Sequence, residues 1–340
     1  MIATMPSMNI SKSHIRKLDL SRDLDQVADL IERCFPIHLD YDGQTYIREM
    51  RKAAQEMRFL GWLSSFTDFT SNKAPGFIWE EEGRIVGNLS MIPFKDHGSK
   101  IVLIANVAVD PEYRRLGIAR ALTNQALEVL RSINVAQVWL QVRDDNPAAC
   151  QLYRSTGFVD HAVRTTWRIQ PNKIKSFEHN SEQKISVRHR KKEDWGDLNR
   201  WLSTAYPLTI RWNLPVDFNR FEPGVLQSVS NFLDGVHFKH WGVDLKGEFS
   251  GSITWQKTSN YANNLWLAFP EDRELMVLAN ALPKVMKRLP GRHPISIDYP
   301  KGRFEAQFQA LGFEHFRSLI WMKQNLKQKE AVKKNSRFSN

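Results

Sequence analysis

Residues Asn106 to Ala119 read N-V-A-V-D-P-E-Y-R-R-L-G-I-A, and their reading decides the fold. The apolar run from Ile101 to Val109 has the length and composition of a buried strand, and Asp110-Pro111 breaks it. Beyond Arg114, Arg115 and Gly117, apolar residues recur at Leu122, Ala126 and Leu130 with the period of a helix. A strand that feeds a basic, glycine-containing turn into a helix N-terminus is suited to holding phosphate. The free N–H groups of the first turn point outward, and the helix dipole favours an anion there. Gly117 carries no Cβ to keep a phosphate from the backbone, and Arg114, Arg115 and Arg120 add positive charge. The stretch is neither a P-loop, which needs G-x-x-x-x-G-K-[ST], nor a dinucleotide fingerprint, which needs G-x-G-x-x-G.

Further along, Val138-Trp139-Leu140-Gln141-Val142-Arg143 reads as a second buried strand. Asp144-Asp145-Asn146-Pro147 follows, then a short helix from Ala148 to Ser155 with Tyr153 near its end, closed by Gly157-Phe158. The pair of segments resembles the GNAT acyltransferases. In that family a loop written [QR]-x-x-G-x-[GA] follows a strand ending like L-A-V-x-P. A second motif then runs strand, N-x-x-A, a helix with Leu-Tyr, and G-F.

The resemblance implies an α/β (α+β) fold, a central mixed, mostly antiparallel twisted sheet flanked by helices, with acetyl-CoA as co-substrate and no metal. It implies that Arg114, Arg115, Leu116, Gly117, Ile118, Ala119 and Arg120 cradle the pyrophosphate. Backbone groups of Val107, Ala108 and Val109 would hold the acetyl and pantetheine amides as an added strand is held, and Asn146 would bind the pantetheine arm. Tyr153 would contact the cofactor and protonate the departing thiolate; packing beneath Gly157-Phe158 is the other reading of its ring. The implied reaction is direct attack of a neutral amine on the thioester, with N–H groups near Val107 stabilising the oxyanion. The base stays open. The segment W-L-Q-V-R is also similar to W-L-E-V-R in the branch that acetylates protein N-termini, but Gln141 stands where that branch has a glutamate and accepts no proton. Glu80 or Glu81 through a water, His97, or no dedicated base are the alternatives.

The chain repeats itself. Ile15 to Pro36 finds an echo in Ser186 to Pro207: strand, basic turn, amphipathic helix, then aromatic-proline. T-G-F-V-D-H-A-V-R-T-T-W-R (Thr156 to Arg168) matches L-G-F-E-H-F-R-S-L-I-W-M-K (Leu311 to Lys323). Between those ends lie a hairpin pattern around Asp244 to Glu248, a strand, a helix, a strand and a short helix, in the same order as in the first half. Two tandem GNAT-like domains are therefore expected: 14–170 catalytic and 185–323 degenerate, with a flexible N-terminus 1–13, a linker 171–184 and a basic flexible tail 324–340. In the second copy Pro270-Glu271-Asp272-Arg273-Glu274-Leu275-Met276 replaces the glycine turn, and its carboxylates would repel a phosphate. Phe308 stands nearest to the tyrosine position and has no proton to give.

Composition is that of an ordinary globular chain: 25% charged and 42% hydrophobic residues. No run has the length of a membrane span, and no secretory signal is read at the start, so the expectation is a cytoplasmic protein without membrane contact. Cys34 and Cys150 lack metal-ligand spacing. The net charge of +11 falls mostly in 171–193 and 324–340, where a solvated end is the usual reading and a ribosome or nucleic-acid contact a minor one. The expected partners are acetyl-CoA and an amine acceptor, small molecule or protein, for a monomer or weak dimer. The rival reading is a non-catalytic CoA-binding or protein-interaction module on the same scaffold, favoured by Gln141 and opposed by Tyr153 and the intact loop.

Overall fold

A computed structural model of the protein describes residues 14–35, 41–59, 75–96, 99–173, 185–291 and 293–326. Residues 1–13, 174–184 and 327–340, which hold the expected N-terminal extension and most of the linker and tail, lie outside the described residues, as does His97. Contacts divide the described chain into two units, one of 14–142, 146–161 and 321–326, the other of 143–145 and 162–320. Each unit thus takes some strand residues from the other half of the sequence.

The first unit begins with β1 (Ile15–Lys17), α1 (Leu20–Cys34) and α2 (Tyr41–Phe59). Asp19 caps α1 by accepting the Ser21 N–H, and Leu24, Val27, Leu30 and Ile31 form its buried stripe. α2 starts at Tyr41, so Asp42 and Gly43 fall in its first turn. Next come β2 (Gly76–Glu81) and β3 (Arg84–Asp96), joined at Glu82 (φ 48°) and Gly83 (φ 79°). Positive φ at both turn residues matches the twist of an antiparallel hairpin. Then β4 (Ser99–Val109), α3 (Ile118–Ser132), β5 (Gln137–Arg143), α4 (Pro147–Ser155) and the start of β6 (Val159–Ile169) follow. The sheet order is β1-β2-β3-β4-β5, and residues 321–325 of β12 (Glu314–Asn325) flank β5. In this unit β4 and β5 run parallel, while β1/β2, β2/β3 and β3/β4 are antiparallel.

The second unit repeats the plan with β7 (Ile185–His189), α5 (Trp195–Ala205), α6 (Leu208–Arg211), α7 (Val225–Leu233), β8 (Phe238–Leu245), β9 (Glu248–Gln256), β10 (Asn263–Ala268), α8 (Glu274–Met286), β11 (Ile295–Pro300) and α9 (Glu305–Ala310). Its β8–β9 hairpin turns at Lys246 (φ 52°) and Gly247 (φ 91°), as the first does at Glu82 and Gly83. Again the two strands flanking the long helix, β10 and β11, are parallel. Trp201, Trp241, Trp255, Trp266 and Trp321 are buried, while Trp195 and Trp212 are half-buried. No helix among the described residues is long and apolar enough to cross a membrane.

An ion triad is duplicated as well. Arg16 of β1 donates to both oxygens of Asp23 (2.5 and 2.9 Å) and through Nε to Glu80 of β2 (2.6 Å). Arg188 of β7 does the same to Asp194 (2.7 and 2.9 Å) and to Asp244 of β8 (2.8 Å). Burial on its own would raise the Asp23 pKa, but hydrogen bonds from Arg16, the Asp19 N–H and Arg22 outweigh it and hold the carboxyl below its ordinary 3.8. Asp194 is likewise lowered, with Arg188 and the Lys191 N–H outweighing burial. Removing Asp23 or Asp194 takes two charge-assisted hydrogen bonds from a largely covered guanidinium and leaves it one carboxylate instead of two, so Asp23→Ala and Asp194→Ala are each expected to cost about 3 kcal/mol at pH 7. Because the folded pKa values are lowered, this stability is complete above the ordinary 3.8 and is lost as pH falls below it. In urea titrations at pH 7 and below 3.8, the gap between wild type and each variant should therefore close in acid; an equal gap at both would refute the assignment.

Candidate active site

β4 and β5 pair only from Ile101↔Gln137 to Ile104↔Leu140. Beyond that point β4 continues to Val109 on β3, so the C-terminal ends of the two parallel strands part and leave the β5-facing edge of residues 105–109 without a strand partner among the described residues. A bulge sits in the opening. Asn88 opposes Ala108 and Ser90 opposes Ala105, which leaves Asn106 and Val107 facing Leu89 alone, with Asn106 at φ 52°. Val107 and Val109 are half-buried and Ala108 is buried. The Val109 carbonyl accepts from Cys34 Sγ (3.2 Å) and Arg114 Nε (3.3 Å), so of its two backbone groups the N–H is the one left to face the opening.

The chain leaves β4 through Asp110, which is buried and held by Arg33 (3.2 Å) and Arg84 (2.7 Å) while it accepts the Glu112 N–H. The turn then takes two left-handed residues, Arg115 (φ 65°) and Gly117 (φ 81°). Gly117 occupies the cap of α3 and offers no side-chain hydrogen bond to the first turn. The early N–H groups of α3 therefore remain for a ligand, and the cradle lacks a side chain where a phosphate would rest. Ile118 is buried and anchors the helix start: a Cβ on Gly87 of β3 would lie 2.8 Å from Ile118 Cγ2. Leu116, Arg115 and Arg120 are exposed and Ala119 is half-buried. Arg114 is exposed too, yet its Nε turns back to the strand, so it fixes the loop as well as charging it.

Asn146 and Tyr153 belong to α4, which follows β5. Parallel neighbours put their C-terminal ends at the same end of a sheet, so the α3 turn and the α4 start share the end where the strands part. Asn146 caps α4 by accepting the Ala149 N–H through Oδ1 (3.1 Å), a role that leaves its Nδ2 hydrogens for another acceptor. The Tyr153 ring is buried and meets Phe158 edge-on at 6.1 Å. Burial, with Cys150 nearby, pushes its phenol far above the usual range, so it stays protonated at physiological pH. The candidate bases stand elsewhere. Glu80 is bound by Arg16 (2.6 Å), and Glu81 by Trp79 Nε1 (3.1 Å) and His14 (3.0 Å), at the β1–β2 edge of the sheet.

Three residues have roles that the motifs did not announce. Asn88, fully buried on β3, donates through Nδ2 to the Asn106 carbonyl (2.8 Å), and Asn106 donates through Nδ2 to the Tyr46 hydroxyl on α2 (2.6 Å). An asparagine inside the otherwise apolar run I-V-G-N-L is the available signal for the first. In the second unit, Tyr206 closes the corresponding place. β10 and β11 pair only to Leu265↔Ile297, and the Leu267 N–H just beyond donates to the Tyr206 hydroxyl (3.3 Å). Arg164 lies over the Tyr206 ring at 4.9 Å. Glu274 at the start of α8 is buried, hydrogen-bonded by Tyr299 and Arg303, and burial raises its pKa to about 7. Phe308 is fully buried among Trp167, Tyr299 and Phe313. The second unit thus keeps the layout and fills it with its own side chains.

Residues 24–158 match the model of the acetyltransferase (GNAT) family. A mycothiol acetyltransferase from Geodermatophilus obscurus is 45% identical over 97 residues, 27% of this chain and 32% of that protein. The [ribosomal protein bS18]-alanine N-acetyltransferase of Escherichia coli is 44% identical over 62 residues, 18% of this chain and 42% of that protein. The chain therefore spans well under two thirds of the length of these curated relatives. The crystal structure of a GCN5-related N-acetyltransferase from Sphaerobacter thermophilus superposes with a TM-score of 0.54 at 14% identity, covering 92% of this chain and 95% of that one, which shows a shared fold. Residues 24–158 thus carry the match to the acetyltransferase (GNAT) family, and the second unit repeats the same order of strands and helices.

Proposed function

We propose that the first unit is an acetyl-CoA-dependent N-acetyltransferase acting on a primary amine. The observation that carries this reading is the opening between β4 and β5, bordered at one end by an uncapped helix start with Gly117 at φ 81°. The pyrophosphate would lie on the N–H groups of Ile118 to Arg120, with Arg115 and Arg120 supplying charge. The pantetheine arm would run along the free edge of β4 and meet Asn146 Nδ2. The neutral amine attacks the thioester carbonyl, the Val107 N–H stabilises the oxyanion, and Tyr153 gives its proton to the sulfur as the C–S bond breaks. The proton lost by the amine goes to water. With Glu80 and Glu81 engaged at the sheet edge, the acceptor is an amine that is substantially neutral at working pH, such as a peptide α-amino group. One relative is a mycothiol acetyltransferase and the other a [ribosomal protein bS18]-alanine N-acetyltransferase, so small molecule and protein N-terminus both stay within the proposal.

The test is thiol release from acetyl-CoA in the presence of peptides with free N-termini and of small amines, with the products weighed by mass spectrometry. Amine-dependent release with a matching acetylated product is expected. Tight CoA binding without release on any amine would favour the non-catalytic module.

A further inference from the structure

We propose that Asn88 is a positioning residue that sets the direction of the Val107 N–H, an inference resting on the transferase reading above. The argument begins with the peptide between Asn106 and Val107. A trans peptide is planar, so the carbonyl of Asn106 and the N–H of Val107 point to opposite sides of one rigid unit. Asn88 Nδ2 holds that carbonyl at 2.8 Å, and because a carbonyl only accepts, the amide's NH2 must be the end that faces it. The Val107 N–H is thereby turned away from Asn88 and β3. In the order β3-β4-β5 that direction is the opening.

The ladder on either side shows that this peptide needs such a hold. Ala108 and Ala105 are registered with Asn88 and Ser90, but Asn106 and Val107 have only Leu89 between them, and no strand partner fixes their peptide. Asn106 sits at φ 52°, a region that asparagine tolerates better than most residues. Its side chain is tied to the Tyr46 hydroxyl at 2.6 Å, so α2 steadies the bulge from a second direction. Asn88 is fully buried, its Nδ2 also lies 3.2 Å from Ser90 Oγ, and its Oδ1 meets no partner among the described residues. An apolar residue of the same shape would avoid that unmet acceptor. The amide therefore gives up stability at this point, and what it provides in return is the orientation of one backbone donor.

The test uses Asn88→Leu, close in shape and unable to donate. Its thermal midpoint should stay within a few degrees of wild type, the unmet Oδ1 removed offsetting the bond lost by the Asn106 carbonyl; its Kd for CoA should stay within about twofold, and kcat should fall about tenfold or more, as befits a misaimed oxyanion donor. Asn88→Ser, which keeps a buried polar group too short to span to Asn106, should show the same split if the leucine variant fails to fold. Asn106→Gly keeps the carbonyl and the positive φ and loses only the Tyr46 bond, so its kcat should fall less. A second readout needs no turnover. With 15N-valine labelling, the Val107 amide of wild type should shift on binding acetyl-CoA beyond its shift with CoA, and Asn88→Leu should abolish that difference. A wild-type shift without turnover would end the transferase reading and leave the positioning role standing. Unchanged kcat in both Asn88 variants, parallel losses of kcat and CoA affinity, or a Val107 shift that survives in Asn88→Leu would overturn the proposal.

Discussion

Gly117→Trp is expected to weaken acetyl-CoA binding about a hundredfold or more while leaving the protein folded. Gly117 lies at φ 81°, ψ 2°, at the cap of α3, with no side chain competing for the N–H groups of the first turn. A tryptophan would place its ring in the volume where the pyrophosphate is proposed to rest. Losing two charge-assisted hydrogen bonds at about 1.5–3 kcal/mol each accounts for a hundredfold or more. The left-handed backbone adds about 1–2 kcal/mol of strain for a residue with a Cβ, which a surface turn can absorb. Neighbouring Arg115 already holds a positive φ of 65° without glycine's freedom. The check is calorimetric affinity together with the thermal midpoint. A variant that binds acetyl-CoA as wild type does would show that the loop is not the pyrophosphate cradle.

Tyr153→Phe is expected to lower kcat about a hundredfold with the affinity for CoA unchanged, the usual size of a lost general acid. Phenylalanine keeps the ring in its buried place and keeps the edge-on contact with Phe158, so packing is conserved and only the hydroxyl goes. Burial holds the phenol protonated far past neutrality, and the donor is therefore present at every pH at which the protein would work. The sign of that shift has a consequence: the wild-type rate should show no loss from Tyr153 deprotonation as pH rises through 9. Steady-state kinetics of the variant decide the matter. A kcat equal to wild type would make Tyr153 a packing residue under Gly157-Phe158, and the leaving thiolate would have to find its proton elsewhere.

The parts of this fold that were legible in the sequence are those whose physics is local. A strand, a breaker, a basic turn and an apolar-periodic helix occupy one continuous stretch from Ile101 to Leu130, so composition and period suffice to order them. The duplication was legible for the same reason, since each half repeats a strand, a turn and a helix in series. What was hidden depends on partners distant in the chain. Asn88 and Asn106 gain their role only when β3 and β4 pair with a bulge between them. The sequence does not show that Arg114 also holds the Val109 carbonyl through Nε, or that Asn146 also caps α4 through Oδ1 and keeps its Nδ2 for another acceptor. The expectation that the second unit lacks the chemistry rests on Pro270 to Met276, but the hydroxyl of Tyr206 on the Leu267 N–H was hidden, because Tyr206 lies far upstream at the end of α5. The assignment of residues 162–169 and 321–326 to units away from their sequence neighbours is likewise a property of strand pairing, which no local pattern encodes.

The stoichiometry of acetyl-CoA binding, measured by calorimetry on the full chain, tests most directly the claim that one unit carries the chemistry and the other only its layout. The expected result is one site per chain in wild type and none in Gly117→Trp. Two sites per chain would show that Tyr206 and Glu274 do not close the second unit, and no binding at millimolar ligand would contradict the acetyltransferase assignment itself.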